Sequence, residues 1–169
     1  VSTIIENVLQ LSRREELHPE RLELSRWLVQ FYGEFMSTCQ LPEGSLQLAE
    51  MAPVEVRMDP THLHQVVWNL CENSVKYASE TAGGIAVEIR YGRLANNNRP
   101  FLEIIDQGPG IPEADLEKIF EPFFTTKFTG RGLGLAALLG IVRAHRGAVR
   151  VESEPGRGTC FRLLFPCAS

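Results

Sequence analysis

Apolar positions recur with a helical period along four stretches of the chain and alternate with a period of two along most of the others. Residues 1–17 put Ile4, Ile5, Val8 and Leu9 on one face, with Glu6, Gln10, Arg13 and Arg14 around them, and His18-Pro19 ends this amphipathic helix. A second helix is expected over residues 21–35, with Leu24, Leu28, Phe31 and Phe35 as its stripe. Residues 41–53 read as loop with a short strand at 45–48, and residues 54–58 alternate as a strand. Asp59 is a good N-cap and Pro60 suits the first helical position, so a strong helix opens there. Its stripe of Leu63, Val66, Val67, Leu70 and Val75 carries it to about Ala78. After a turn at Gly83-Gly84, residues 85–93 and 101–105 read as strands joined by a polar tip at 96–100. A short helix at 113–119, an irregular stretch at 120–132 and a helix at 133–145 follow. Strands at 148–153 and 159–165 close the chain around Pro155-Gly156-Arg157-Gly158. The order implies an α+β fold: a two-layer α/β sandwich with a mixed sheet and about three helices on one face.

Length and composition narrow this picture. The 169 residues suit one domain plus a flanking segment, and 44% hydrophobic with 22% charged residues is ordinary globular chemistry. A net charge of −4 gives no electrostatic footprint for nucleic acid, whereas a nucleotide needs only local positive charge. No apolar run approaches the ~20 residues of a membrane span, and no signal peptide is visible. Cys39, Cys71, Cys160 and Cys167 are irregularly spaced and form no C-x-x-C pair, which points to a reduced, cytoplasmic compartment. The chain opens with Val1 inside an apparent helix and reads as a fragment whose parent has room for an inner-membrane anchor.

Four segments carry candidate chemistry. On the long helix, Asn69, Asn73 and Lys76 are spaced i, i+4 and i+7 and share a face. Two amides and an ammonium there suit a Mg²⁺–phosphate group, because an amide oxygen is a hard ligand; a solvated helix face is the plainer alternative. Asp106-Gln107-Gly108-Pro109-Gly110 follows a strand directly. A carboxylate at a strand end can accept from an adenine amino group, and Gly108 and Gly110 let backbone approach a flat base; alone, the motif is an ordinary turn. Glu121-Pro122-Phe123-Phe124-Thr125-Thr126-Lys127 is either a core plug or a lid whose polar end reaches phosphates. Gly130-Arg131-Gly132-Leu133-Gly134-Leu135 opens a helix, where unpaired N–H groups and the dipole favour phosphate. It is neither a Walker A loop, since no Gly-Lys-Ser/Thr follows, nor a Rossmann turn, since no strand immediately precedes it.

In this order the four segments resemble the N, G1, F and G2 boxes of the catalytic domain of two-component sensor histidine kinases, over roughly residues 54–166. The resemblance implies the Bergerat ATP-binding fold shared with gyrase, Hsp90 and MutL. It implies ATP and Mg²⁺ as cofactors, with Asn73 as metal ligand and Asn69 and Lys76 near phosphate or metal. Tyr77 would pack near adenine and Asp106 would recognise it, with Gly108 and Gly110 shaping the pocket. Gly132, Leu133 and Gly134 would cradle phosphate, with Thr126, Lys127 and Arg131 on a lid (residues 121–131) expected to be mobile without nucleotide. Residues 1–17 resemble the end of a dimerisation and histidine-phosphotransfer helix, in wording close to the nitrogen-regulation (NtrB-like) and type IV pilus (PilS-like) groups. The implied organisation is 1–17 as that helix end, 18–53 as a connecting helix and loop, and 54–169 as the ATP-binding domain. Implied partners are ATP, a histidine-phosphotransfer domain of the same kinase and a response regulator, with the parent a homodimer.

The phosphoacceptor His-Glu motif is absent. His18 precedes Pro19, His62 and His64 are expected on the polar side of the long helix, and His145 is expected to complement the dipole at a helix C-terminus. The γ-phosphoryl acceptor must then come from another domain. An ATP hydrolase of the gyrase–Hsp90–MutL kind resembles this chain but needs a general-base Glu where Asn69 stands, and Glu72 points about 100° away from Asn73. A stand-alone serine kinase lacks the preceding dimerisation helix, and a regulatory nucleotide-binding module is the remaining alternative.

Overall fold

Asp59 caps the longest helix as its chemistry dictates: its Oδ1 accepts from the Thr61 N–H at 2.9 Å and its carbonyl accepts from Leu63 N at 2.9 Å. The computed structural model describes residues 17–78, 86–108, 110–111, 113–116, 132–154 and 156–166, with only the backbone at 76, 77, 113, 115 and 132–137. The helix expected over residues 1–17 and the lid at 121–131 therefore fall outside the described residues, save Leu17.

Seven strands and four helices are described: β1 (Glu20–Glu23), α1 (Leu24–Cys39), β2 (Leu46–Leu48), β3 (Glu55–Met58), α2 (Pro60–Ala78), β4 (Val87–Arg93), β5 (Pro100–Asp106), α3 (Glu113–Leu116), α4 (Gly132–Ala144), β6 (Ala148–Glu154) and β7 (Gly158–Leu164). Five strands form one mixed sheet in the order β2-β4-β5-β7-β6, parallel only between β2 and β4. The strand β5 is central. Helix α2 packs on β5 and on α4, and α4 packs on β6. The expected α+β sandwich is the observed one.

One expectation is corrected at the N-terminal side. Residues 20–23 are not helical but pair antiparallel with β3, Glu20 opposite Met58 and Glu23 opposite Glu55. The helix starts at Leu24, capped by the Glu23 carboxylate accepting from Arg26 N at 2.8 Å, and runs on to Cys39, where Gln40 turns left-handed. The stripe of Leu24, Leu28, Phe31 and Phe35 is fully buried as its spacing predicts. Phe31 and Phe35 pack edge-on against Trp68 of α2, with ring centroids 5.9 and 4.8 Å apart. That contact joins α1 to the same core as α2 and the sheet. The solvent face of the sheet is polar: Arg162 pairs with Glu103 at 2.8 Å.

Cys39, Cys71 and Cys160 are unpaired thiols. Burial pushes the Cys160 thiol up to about 12, with Glu103 adding to it, so it is held un-ionised and inert. Among the described residues no helix is long and apolar enough to cross a membrane.

Candidate functional site

Strand alternation puts a carboxylate where apolar groups belong. Along β5 the buried face reads Pro100, Leu102, Ile104, Asp106. Asp106 is thus 1% exposed at the end of the central strand, opposite Val87 of β4 and Thr159 of β7. Its Oδ1 accepts from Gly108 N at 2.9 Å, an Asx turn that begins the loop. Its Oδ2 is buried and has no hydrogen-bond partner among the described residues. Burial pushes the carboxyl pKa up to about 6, against the pull of the Gly108 and Thr159 N–H groups. An orphaned buried acceptor is costly, and a ligand that brings a donor relieves it.

The far end of the Asp106 loop is anchored by residues to which the sequence assigns no role in the site. Ile111 N donates to Ser153 Oγ at 2.7 Å, and Ser153 Oγ lies 3.0 Å from Thr159 Oγ1 and 3.1 Å from the Gly158 carbonyl. Gly110 takes φ +80, which explains its lack of a side chain. Only the glycine-rich spacing of the closing hairpin hints at this anchor, and it reads locally as a turn.

Asn69 and Asn73 are half-buried on α2, and the Asn69 amide donates to the Gln65 carbonyl at 2.7 Å. Lys76 and Tyr77 lie in the last turn of α2, their side chains outside the described residues. The helix α4 opens at Gly132, with Leu133 and Gly134 in its first turn. Thr126, Lys127 and Arg131 lie outside the described residues. A contact between His62 Nδ1 and His145 Nε2 at 2.9 Å joins the beginning of α2 to the end of α4. From that pair, Asn73 and Gly134 are each about eleven residues along their packed helices, roughly 17 Å at 1.5 Å per residue. The amides of α2 and the glycines of α4 thus lie about three turns from this contact, each along its own helix. The end of β5, on which α2 packs, carries the Asp106 carboxylate.

The histidines depart from expectation. His62 leans on His145, and His64 stacks on Trp68 at 5.4 Å, so neither is a plain solvated side chain. His145 is 8% exposed; burial, then His62, lower its pKa below the usual 6.5, while Asp59 pulls the other way. His145 does stand at the end of α4, but as a buried ring against His62, where burial disfavours the charged form. Because the folded state resists protonation there, the unfolded chain binds more protons below pH 6.5, and this group's stabilisation falls as pH drops through that value. Asp106, with its raised pKa, gives the opposite slope. The two separate in a difference: wild type should lose more unfolding free energy than His145→Gln between pH 7.5 and 5.5, measured by urea denaturation.

Residues 58–169 match the family of histidine kinase-, DNA gyrase B- and HSP90-like ATPases, and the chain belongs to it. Within that family, the chain is 37% identical over 98% of its length to the sensor protein kinase PilS of Pseudomonas aeruginosa, covering 31% of that protein. It is 30% identical, over 98% of its length and 35% of the relative, to the sensor histidine kinase ZraS of Salmonella typhimurium. The chain thus spans about a third of the length of these curated relatives. Among solved structures it resembles the mycobacterial sensor histidine kinase MprB, with TM-score 0.70 and 27% identity over 88% of this chain and 97% of that one. It also resembles the nucleotide-free catalytic domain of the histidine kinase ThkA, with TM-score 0.69 and 26% identity over 88% and 95%.

Proposed function

We propose that this chain is the ATP-binding catalytic domain of a two-component sensor histidine kinase, and that it delivers the ATP γ-phosphoryl to a histidine on a phosphotransfer domain of the same kinase. The observation that carries the reading is the unpartnered Asp106 Oδ2, a buried acceptor at the end of the central strand. In this reading it accepts the adenine amino group, with Gly108 and Gly110 beneath the base and Tyr77 beside it. The N–H groups opening α4 at Gly132, Leu133 and Gly134 hold phosphate oxygens. Thr126, Lys127 and Arg131 cover them from the lid.

Mg²⁺ fits the donor set of α2, since Asn73 offers a hard amide oxygen from a half-buried position. Asn69 and Lys76 stand on the same face toward phosphate. A bound Mg²⁺ neutralises charge on the transferring phosphoryl group. The chain's own residues do the positioning that dominates phosphoryl transfer: they fix the base, orient the triphosphate and exclude water. Asn69 is no general base, which disfavours hydrolysis. The reading includes 1–17 as the end of the dimerisation helix, 18–53 as the connecting segment packed into the catalytic core, and 54–169 as the ATP-binding domain. A homodimeric parent, a response regulator downstream and a cytoplasmic site of action, with the parent anchored in the inner membrane, complete it.

The test is calorimetric titration with Mg-ATP, followed by transfer of labelled phosphate to a separately supplied phosphoacceptor domain of a PilS-like kinase. Binding with transfer, and no acid-labile label on this chain alone, is expected. A flat titration, or stable labelling of His62 or His64, would contradict it. Asn73→Ala is expected to abolish the Mg²⁺-dependent part of the affinity, at least tenfold, leaving a weaker affinity that EDTA no longer changes.

A further inference from the structure

We propose that Ser153 is a positioning residue for adenine recognition: its hydroxyl ties the far end of the Asp106 loop to β7 and so holds the Asp106 carboxylate in register for the base. This deepens the proposed ATP-binding reading and rests on it.

The loop from Asp106 to Ile111 is pinned at two places. At its start, Asp106 pairs with Thr159 across β5 and β7, and its carboxylate caps Gly108. At its end, Ile111 is fully buried and its N–H donates to Ser153 Oγ at 2.7 Å. A serine hydroxyl has one proton and two lone pairs. Ser153 uses all three: it accepts from Ile111 N and from the Thr159 hydroxyl at 3.0 Å, and donates to the Gly158 carbonyl at 3.1 Å. Gly158 and Thr159 are the residues that flank Asp106 from β7, so one hydroxyl joins both ends of the loop to the strand beside the carboxylate. No neighbour replaces it by sequence logic, because Ser153 is a strand position whose side chain must point to this face. Without the hydroxyl, the buried Ile111 N–H has no acceptor and the loop regains freedom next to the base. Ser153 touches no reacting atom; it acts through Asp106.

The readout is base discrimination, which a merely structural role does not move. ATP and inosine triphosphate differ at the purine 6-position, where an amino donor is replaced by a carbonyl. Both are titrated with Mg²⁺ into wild type, Ser153→Ala and Ser153→Thr. The expected result is that Ser153→Ala narrows the ATP:ITP affinity ratio about tenfold, mainly by weakening ATP, and that Ser153→Thr, which keeps the hydroxyl on a residue suited to a strand, restores it. Should the alanine variant not fold, Ser153→Cys, nearly isosteric but a weak acceptor, is expected to narrow the ratio in the same direction. An unchanged ratio in the folded variants, with only the melting temperature lowered, overturns the proposal. A wild type that does not prefer ATP overturns the Asp106 reading itself, and this inference with it.

Discussion

Asp106→Asn should leave the nucleotide-free protein more stable at pH 7 and nearly unable to hold ATP. The two effects have one cause. The Asp106 carboxyl has a folded pKa of about 6 against an ordinary 3.8, so folding holds its proton more tightly than the unfolded chain does. This group's contribution to stability is full below pH 3.8, declines as pH rises to about 6, and stays lost above that. Two pKa units amount to about 3 kcal/mol of destabilisation at pH 7. Asparagine carries no charge to desolvate, and its amide oxygen keeps the bond from Gly108 N. Its NH₂ takes the place of Oδ2, which has no partner, so part of the gain is returned and a net stabilisation of about 1–2 kcal/mol is expected. For ATP the same change replaces a charged acceptor with a donor facing the adenine amino group. Loss of one charge-assisted bond plus that opposition is worth about 3 kcal/mol, roughly a hundredfold in affinity. Denaturant unfolding at pH 7 and nucleotide titration read the two directions. A variant that loses stability, or keeps its affinity, refutes the assignment.

The sequence made the long helix and the placement of candidate residues along it legible because both depend on short-range spacing. The Leu63-to-Val75 stripe, the Asp59 cap and the Asn69/Asn73 face all arise within one element, and α2 forms where they put it. A carboxylate at a strand end, followed by glycines, was legible too; its place inside β5 on the buried face was not. What local spacing does not carry is pairing between distant segments. Residues 20–23 look like the first turn of a helix until β3, more than thirty residues on, is there to take them as a strand. The role of Ser153 needs Ile111, some forty residues earlier, and the His62–His145 contact needs two helix ends 83 residues apart in sequence. In each case the missing information is a partner. Alternation places Ser153 on the face of Val149 and Val151, but the N–H it accepts belongs to a distant segment.

Gly158→Ala should be among the most damaging single substitutions in the chain, and its damage should fall on the nucleotide site. Gly158 takes φ +123, a region that side-chain-bearing residues rarely enter. A Cβ built there meets the Asp106 carbonyl oxygen well inside contact distance, with Gln107 Cα at 2.9 Å and the Asp106 carbonyl carbon at 3.0 Å. All three neighbours are backbone, so no side chain can swing away. Relief requires the start of β7 to part from the end of β5, which opens the Asp106–Thr159 pairing and drags Ser153 from the Gly158 carbonyl. Strained φ and overpacking together are expected to cost about 3–5 kcal/mol, with ATP affinity lost in whatever protein remains folded. Gly156, two residues away in the same turn, separates these causes. It has φ +83 but nothing within 4 Å of a Cβ, so Gly156→Ala carries backbone strain alone, about 1–2 kcal/mol, and should leave nucleotide affinity as it was. Thermal unfolding and Mg-ATP titration of the two variants side by side make the comparison. If both lose affinity equally, the hairpin matters only as a hairpin, and the close approach of Gly158 to Asp106 has no bearing on the base.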